Sequence, residues 1–243
     1  MKTELRCIAV IPARFGSTRF PGKPLALLAG KPMIQHVWER VLRTKGLMRT
    51  LIATDDDRIA QAVRAFGGEV VMTGHCPTGT DRVFQASKDL DVDVILNVQG
   101  DLPLIEPAPL ESLLAAFEDP AVRMSTLKRR LEPGEAENPN VVKIVCAQNG
   151  DALYFSHSLI PFPRRDGTPA YAHIGVYAFR KDFLLEVDAL PPSPLERAED
   201  LEQLRVLEHG HRIRVVETTH RGVGVDTPDD LKRARARLDA MFA

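Results

Sequence analysis

The segment Ile11-Pro12-Ala13-Arg14-Phe15-Gly16-Ser17-Thr18-Arg19-Phe20-Pro21-Gly22-Lys23-Pro24-Leu25 gathers cations, glycines and hydroxyls directly after an apolar run. Glycines let backbone N–H groups approach phosphate oxygens, and Arg14, Arg19 and Lys23 can neutralise the charge, so the loop suits a polyphosphate. Lys23 is followed by Pro24 instead of Ser or Thr, which excludes the P-loop pattern. Two further segments carry carboxylates of interest. Asn97-Val98-Gln99-Gly100-Asp101 follows a second apolar run, and Gly222-Val223-Gly224-Val225-Asp226 precedes a helix entry. Hard carboxylate oxygens of this kind suit Mg2+ carried on phosphates, and two acids at strand ends could share one or two ions. Read alone, Asp226 is equally part of a helix cap, because Asp-Thr-Pro is an ordinary way into a helix.

Strands must place these residues. Leu5 to Ile11 is almost continuously apolar, as a strand buried on both faces of a parallel sheet requires, and Pro12 is expected to end it. Thr50 to Ala53 and Asp93 to Val98 repeat the pattern, with Ile59, Val63 and Phe66 at helical spacing between them. Strand and helix therefore alternate, and the expected class is α/β, a mixed, mostly parallel sheet flanked by helices. Ligands in such sheets bind beyond the carboxyl ends of the strands, where the cationic loop and Asp101 fall. In the second half, Val141 to Cys146, Ala152 to Phe155 and Ile174 to Phe179 read as strands, with turns at Asn149-Gly150 and Asp166-Gly167. Thr227 as N-cap, Pro228 at the first helical position and Asp230 at N3 open a closing helix, with Leu231, Ala234, Leu238 and Met241 on its apolar face. Pro191-Pro192-Ser193-Pro194 reads as a loop between helices. No repeat or flexible linker interrupts the chain, so residues 1–243 are expected to form a single domain.

The chain has 243 residues, 44% of them hydrophobic and 27% charged, and a net charge of −1, which provides no field to hold a nucleic-acid backbone. No apolar stretch is long enough for a membrane-spanning helix, and the run after Met1-Lys2-Thr3-Glu4 is too short for a signal peptide. Cys7, Cys76 and Cys146 form no CxxC pair and read as free thiols of a reducing compartment. A cytoplasmic protein acting on a small molecule is the expectation. Asp55-Asp56-Asp57 matches the DxD pattern of metal-dependent glycosyltransferases, but acids at a helix start favour the positive end of the dipole, and capping is the preferred reading.

The loop IPARFGSTRFPGKPL, the strand end NVQGDLPLI, the turn Thr78-Gly79-Thr80-Asp81-Arg82, His173-Ile174-Gly175-Val176-Tyr177, Glu202-Gln203-Leu204-Arg205 and the ending GVGVDTPDDL closely resemble the 3-deoxy-manno-octulosonate cytidylyltransferases, in the family's order and along essentially the whole chain. The resemblance implies transfer of a cytidylyl group from CTP to the anomeric hydroxyl of 3-deoxy-D-manno-octulosonate (KDO), with Mg2+. It also implies a Rossmann-like, GT-A-like nucleotidyltransferase fold and a homodimer with its dimerisation region in the hairpin-rich second half. Carried over by motif, Arg14, Ser17 and Lys23 would hold the phosphates. The main chain near Ala13 and the turn containing Thr78, Gly79 and Arg82 would flank the nucleoside, with Gln99 beside it. Asp101 and Asp226 would bind Mg2+, and Lys23, Arg14 and the two acids would be catalytic. Gln99, Arg164, His173, Tyr177, Glu202 and Gln203 would line the sugar-acid pocket. No nucleic acid or membrane is implied.

The residues admit other readings as well. His173 and Tyr177 alternate with Ile174 and Val176 as one polar face of a strand, and Glu202 and Gln203 could be a solvated helix face. Either Arg164 or Arg165 could meet the sugar acid. Leu102 stands where many relatives carry an acid, which removes a possible outer partner of the metal. Sialate cytidylyltransferases and sugar-1-phosphate nucleotidyltransferases share the fold, though the Gly-Gly-x-Gly-Thr-Arg loop of the latter is not reproduced. A non-catalytic sensor on the same scaffold would tolerate loss of Lys23 or the metal acids, and all three are present.

Overall fold

The structure, a computed structural model, describes residues 5–16, 20–165, 167–222 and 224–240. Cys7–Ala13 (β1) is buried at every position, which explains its unbroken apolar sequence. A short hairpin of β2 (Leu27–Leu28) and β3 (Lys31–Pro32) follows, then α1 (Met33–Val41), β4 (Leu47–Thr54), α2 (Asp57–Ala65), β5 (Glu69–Met72), α3 (Gly79–Ser87), β6 (Val94–Asn97) and α4 (Pro107–Ala115). The second half contains β7 (Met124–Arg130), β8 (Lys143–Cys146), β9 (Ala152–Ser156), β10 (Tyr171–Arg180), α5 (Lys181–Asp188), α6 (Pro194–Glu199), α7 (Gln203–Glu208), β11 (Arg214–Glu217) and α8 (Pro228–Ala240). The chain divides into two compact units, residues 1–111 with 222–243, and residues 112–221. Pro107, Pro109 and Ser112 stand at one junction and Gly222 and Gly224 at the other, but neither forms a stretch long enough to read as a linker.

In the first unit the strands run in the order β6-β1-β4-β5, all parallel. From β1 the chain winds outward through β4 to β5 and then returns to place β6 on the other flank. The β1/β6 boundary is therefore a topological switch point, and the loops after these two strands open beside the same crevice. Pro12 does not end β1, contrary to the sequence reading: it pairs in register with Ala53 of β4. Pairing with β6 stops at Val10, so the missing N–H of Pro12 falls where that strand makes no further demand. Ile59 and Val63 of α2 are fully buried, while Phe66 caps the helix and packs on Trp38, with ring centroids 5.1 Å apart. Ala234 and Leu238 of α8 join Leu28, Met33, Leu104 and Val225 in one apolar cluster, with Leu231 against it. Met241 lies outside the described residues.

In the second unit β7 pairs with β11 in parallel and with β10 in antiparallel fashion, and β8 joins β10 to β9 through antiparallel pairs. The expected hairpin between β8 and β9 turns at Gly150, whose φ of 86° is open to glycine without strain. The register of β10 against β7 jumps from Ile174 opposite Leu127 to Tyr177 opposite Thr126, so Gly175 and Val176 form a bulge. The strands β5, β7 and β11 were not visible in the sequence. β5 is only four residues long, β11 has a charged residue at each end, and β7 ends in Lys128-Arg129-Arg130. All three cysteines are free thiols, as expected.

Candidate active site

Two sets of the residues singled out above can be described, one in each unit. The first is built on the switch point. Lys23 stands in a short helical turn, Lys23–Leu25, begun by Gly22 at φ 70°, a left-handed conformation that favours glycine. Gly22 N–H donates to the Phe15 carbonyl at 3.0 Å and closes the loop that starts at Arg14. The Arg58 guanidinium lies 3.3 Å from the Phe15 ring centroid and holds the loop from the α2 side. Arg14 is exposed and Ala13 is buried at the end of β1. Ser17, Thr18 and Arg19 lie outside the described residues.

Lys23 Nζ donates to Asp101 Oδ2 at 2.9 Å and to Asp226 Oδ1 at 3.1 Å. The loops that carry the two acids are joined by a backbone bond from Val225 N–H to the Asp101 carbonyl at 2.9 Å. The cap of α8 belongs to other groups: Thr227 and Asp230 bond each other reciprocally, and Asp230 also accepts from the N–H groups of Asp226 and Thr227. The Asp226 carboxylate itself is turned onto Lys23. Side-chain exposure rises from 14% at Lys23 to 30% at Asp101 and 45% at Asp226, so the cation is the inner member and the acids face outward. Among the described residues no group of three or more His, Cys, Asp or Glu side chains is arranged around a single point. Two outward carboxylates make a partial set of hard oxygen ligands, and that fits Mg2+, which keeps waters and takes its other oxygens from phosphates.

Close packing fixes this corner. A Cβ on Gly100 would lie 2.8 Å from the Pro12 carbonyl oxygen and 3.1 Å from Ile34 Cδ1, so the turn into Asp101 can press on β1 only as glycine. Gly79 is set similarly, its missing Cβ 3.3 Å from Gln99 Oε1 and 3.5 Å from Pro12 Cγ. Thr78 and Asp81 form a capping box that opens α3 next to Gln99, and Gln99 Nε2 donates to Asn97 Oδ1 at 3.2 Å. Arg82 is buried. It bonds Asp55 at 2.8 Å and Thr73 Oγ1, and so ties the start of α3 to the ends of two strands. Asp56 caps α2 by accepting from Arg58 N–H, which agrees with the capping reading of Asp55-Asp56-Asp57 and commits Asp55 to Arg82. Leu102 is buried together with Leu104 and Ile105 and serves as core.

The second set lies in the unit formed by residues 112–221. His173 and Tyr177 share one face of β10, their ring centroids 5.5 Å apart, and Phe155 meets the His173 ring edge-on at 4.9 Å. Burial pushes the His173 imidazole down to about 3 from its ordinary 6.5, so it is neutral at physiological pH. Burial raises the Tyr177 phenol, and the charge of Glu202 raises it further. Gln203, at the start of α7, is buried and its Nε2 finds no hydrogen-bond partner among the described residues, while Glu202 just before it is exposed. Glu196 of α6 pairs with Arg205 of α7 and fixes the corner that presents them. Arg164 and Arg165 are exposed on an arm in which Phe162 is 82% exposed. Thr126 was missed by sequence reasoning, although its hydroxyl lies 2.8 Å from His173 Nε2. A lone threonine before a run of cations carries no signal that could have found it.

The family model described as "Cytidylyltransferase" matches residues 8–213. A 3-deoxy-manno-octulosonate cytidylyltransferase from Anaeromyxobacter sp. (strain Fw109-5) is 55% identical over 239 residues, spanning 97% of this chain and 98% of its own. One from Myxococcus xanthus (strain DK1622) is 53% identical over 239 residues, spanning 97% of each. Among solved structures, a CMP:2-keto-3-deoxy-manno-octonic acid synthetase complexed with CTP superposes with a TM-score of 0.93 at 44% identity, covering 97% of this chain and 99% of that one.

Proposed function

The chain belongs to the cytidylyltransferase family and within it to the 3-deoxy-manno-octulosonate cytidylyltransferases, and from that premise we propose how its residues divide the reaction. The reaction is transfer of the cytidylyl group of CTP to the anomeric hydroxyl of KDO on a Rossmann-like nucleotidyltransferase fold. The anomeric hydroxyl releases its proton as its oxygen bonds to the α-phosphorus, the bond from that phosphorus to the bridging oxygen breaks, and pyrophosphate leaves with CMP-KDO as the other product. The product is activated for lipopolysaccharide biosynthesis.

Phosphoryl chemistry of this kind asks the protein mainly for alignment and for positive charge where negative charge builds up. The observation that carries the assignment is the convergence of Lys23 with Asp101 and Asp226 at the β1/β6 switch point. Lys23 and Arg14, with Ser17 on the same loop, neutralise the triphosphate and the departing pyrophosphate. The turn from Thr78 to Arg82 and the main chain at Ala13 flank the nucleoside. Asp101 and Asp226 would hold Mg2+, which when bound polarises the phosphate oxygens and shields their charge. Gln99, Arg164, His173, Tyr177, Glu202 and Gln203 are assigned to the sugar acid, with a guanidinium for its carboxylate and neutral donors and acceptors for its hydroxyls. The buried Gln203 Nε2 supports this, because a sugar hydroxyl would supply the acceptor it lacks.

No helix among the described residues is long and apolar enough to cross a membrane, and a cytoplasmic setting suits three free thiols. A homodimer through the second unit is proposed because Phe162 and Leu153 stand 82% and 61% exposed there, and the mass in solution tests it. The deciding assay for the reaction measures pyrophosphate release with Mg2+, offering CTP against other nucleoside triphosphates and KDO against sialate and a hexose 1-phosphate. Release with CTP and KDO alone is the expected result. Faster release with either other acceptor would overturn the assignment.

A further inference from the structure

Thr126 is fully buried on β7 opposite the bulge in β10. The bulge removes Gly175 and Val176 from the β7 register, so the Val176 carbonyl needs a donor from elsewhere. Thr126 Oγ1 lies 2.8 Å from that carbonyl oxygen, 3.4 Å from the Ile174 carbonyl oxygen and 2.8 Å from His173 Nε2. Two oxygens 2.8 Å apart repel unless a proton lies between them, and a carbonyl has none to give. The hydroxyl proton is therefore committed to Val176, and Thr126 Oγ1 meets the imidazole only as an acceptor. His173 must then carry its proton on Nε2.

The geometry points to Thr126 as a positioning residue that locks His173 in the Nε2–H tautomer, leaving Nδ1 as a lone-pair acceptor that reads a hydroxyl hydrogen of the sugar acid. This rests on the placement of His173 in the sugar-acid site. Among the described residues no donor reaches Nδ1, and His173 keeps part of its surface open. A lone pair there welcomes an O–H and repels a carboxylate, so His173 discriminates between the two kinds of oxygen that KDO presents. Phe155 edge-on and Tyr177 alongside hold the ring plane, and Thr126 decides which edge accepts. The depressed basicity of the ring agrees with a hydrogen-bond acceptor and not with a general base.

The test combines ring 15N spectra of His173 with the KM values for KDO and for CTP in the wild type, Thr126→Ser, Thr126→Val and His173→Ala. Wild type and Thr126→Ser should show a protonated Nε2 and a bare Nδ1. Thr126→Val should show mixed tautomers and a KM for KDO raised about three- to tenfold, the loss of one neutral hydrogen bond, with the KM for CTP unchanged. A protonated Nδ1 in the wild type overturns the inference, as does a Thr126→Val protein whose ring pattern and KM for KDO are both those of the wild type. If His173→Ala leaves the KM for KDO unchanged, the placement of His173 in the sugar-acid site fails, and the spectra still decide the tautomer. Should Thr126→Val not fold, the wild-type and Thr126→Ser spectra carry the decision.

Discussion

Replacing His173 by Gln should flatten the acid side of the stability profile. In the folded chain the imidazole titrates at about 3 because burial disfavours its charged form, against 6.5 when unfolded. Between those two values the unfolded chain binds a proton that the folded chain refuses, so acid favours unfolding. The contribution is complete above the unfolded pKa and is lost as the pH falls from about 6.5 toward 3, at about 1.4 kcal/mol per pH unit. From pH 7 to pH 5 the loss amounts to about 2 kcal/mol. At about 2–4 °C of Tm per kcal/mol for a chain of this size, the wild type should lose about 4–8 °C more than the variant over that interval. The carboxylates held below their ordinary range, Glu39, Glu196 and Glu199 among them, are common to both proteins and cancel in the difference. Thermal melts of both proteins at pH 7 and pH 5, without substrates, give the comparison. Equal losses in the two proteins, or an NMR titration of His173 with a midpoint near 6.5, would refute the argument from burial.

Asp101→Asn and Asp226→Asn should each lower turnover by at least about a hundredfold, the scale of one lost electrostatic partner of the transferring group. Their melting temperatures should stay within a few degrees of the wild type, because the carboxylates are 30% and 45% exposed and pair with one lysine. EDTA should stop the wild-type reaction and Mg2+ should restore it; turnover that persists in EDTA counts against the metal pair. Gly100→Ala forces a Cβ to within 2.8 Å of the Pro12 carbonyl and should cost about 1–3 kcal/mol in urea unfolding, together with reduced turnover from a displaced Asp101. Arg82→Met strips Asp55 of its buried partner and should destabilise by about 2–3 kcal/mol, less than for a fully buried pair because Asp55 is 28% exposed. A rise in the KM for CTP should accompany it, and an unchanged KM would separate Arg82 from the nucleoside.

What the sequence disclosed, and what it hid, follows from how each residue is held. β1 and β6 were legible because burial on both faces demands an unbroken apolar run, and the residues after them because a triphosphate demands cations and glycines in one loop. The two acids could be paired from their places at strand ends, but that Lys23 would bridge them, and that Val225 N–H would tie their loops together, leaves no trace in residue types. The same limit applies to Arg82. Its place in the turn was visible, but its guanidinium is buried and so had to find a carboxylate, and that carboxylate was Asp55 from another strand end. In the second unit the bulge at Gly175 and Val176 is a matter of register, which alternation of residue types does not encode. The two units differ in kind for a chemical reason. Triphosphate recognition rests on net charge, which residue types announce. In the proposed sugar-acid site a hydroxyl would be read by the direction of one lone pair, and under the inference drawn above that direction follows from the contact of Thr126, on the neighbouring strand, with the His173 ring.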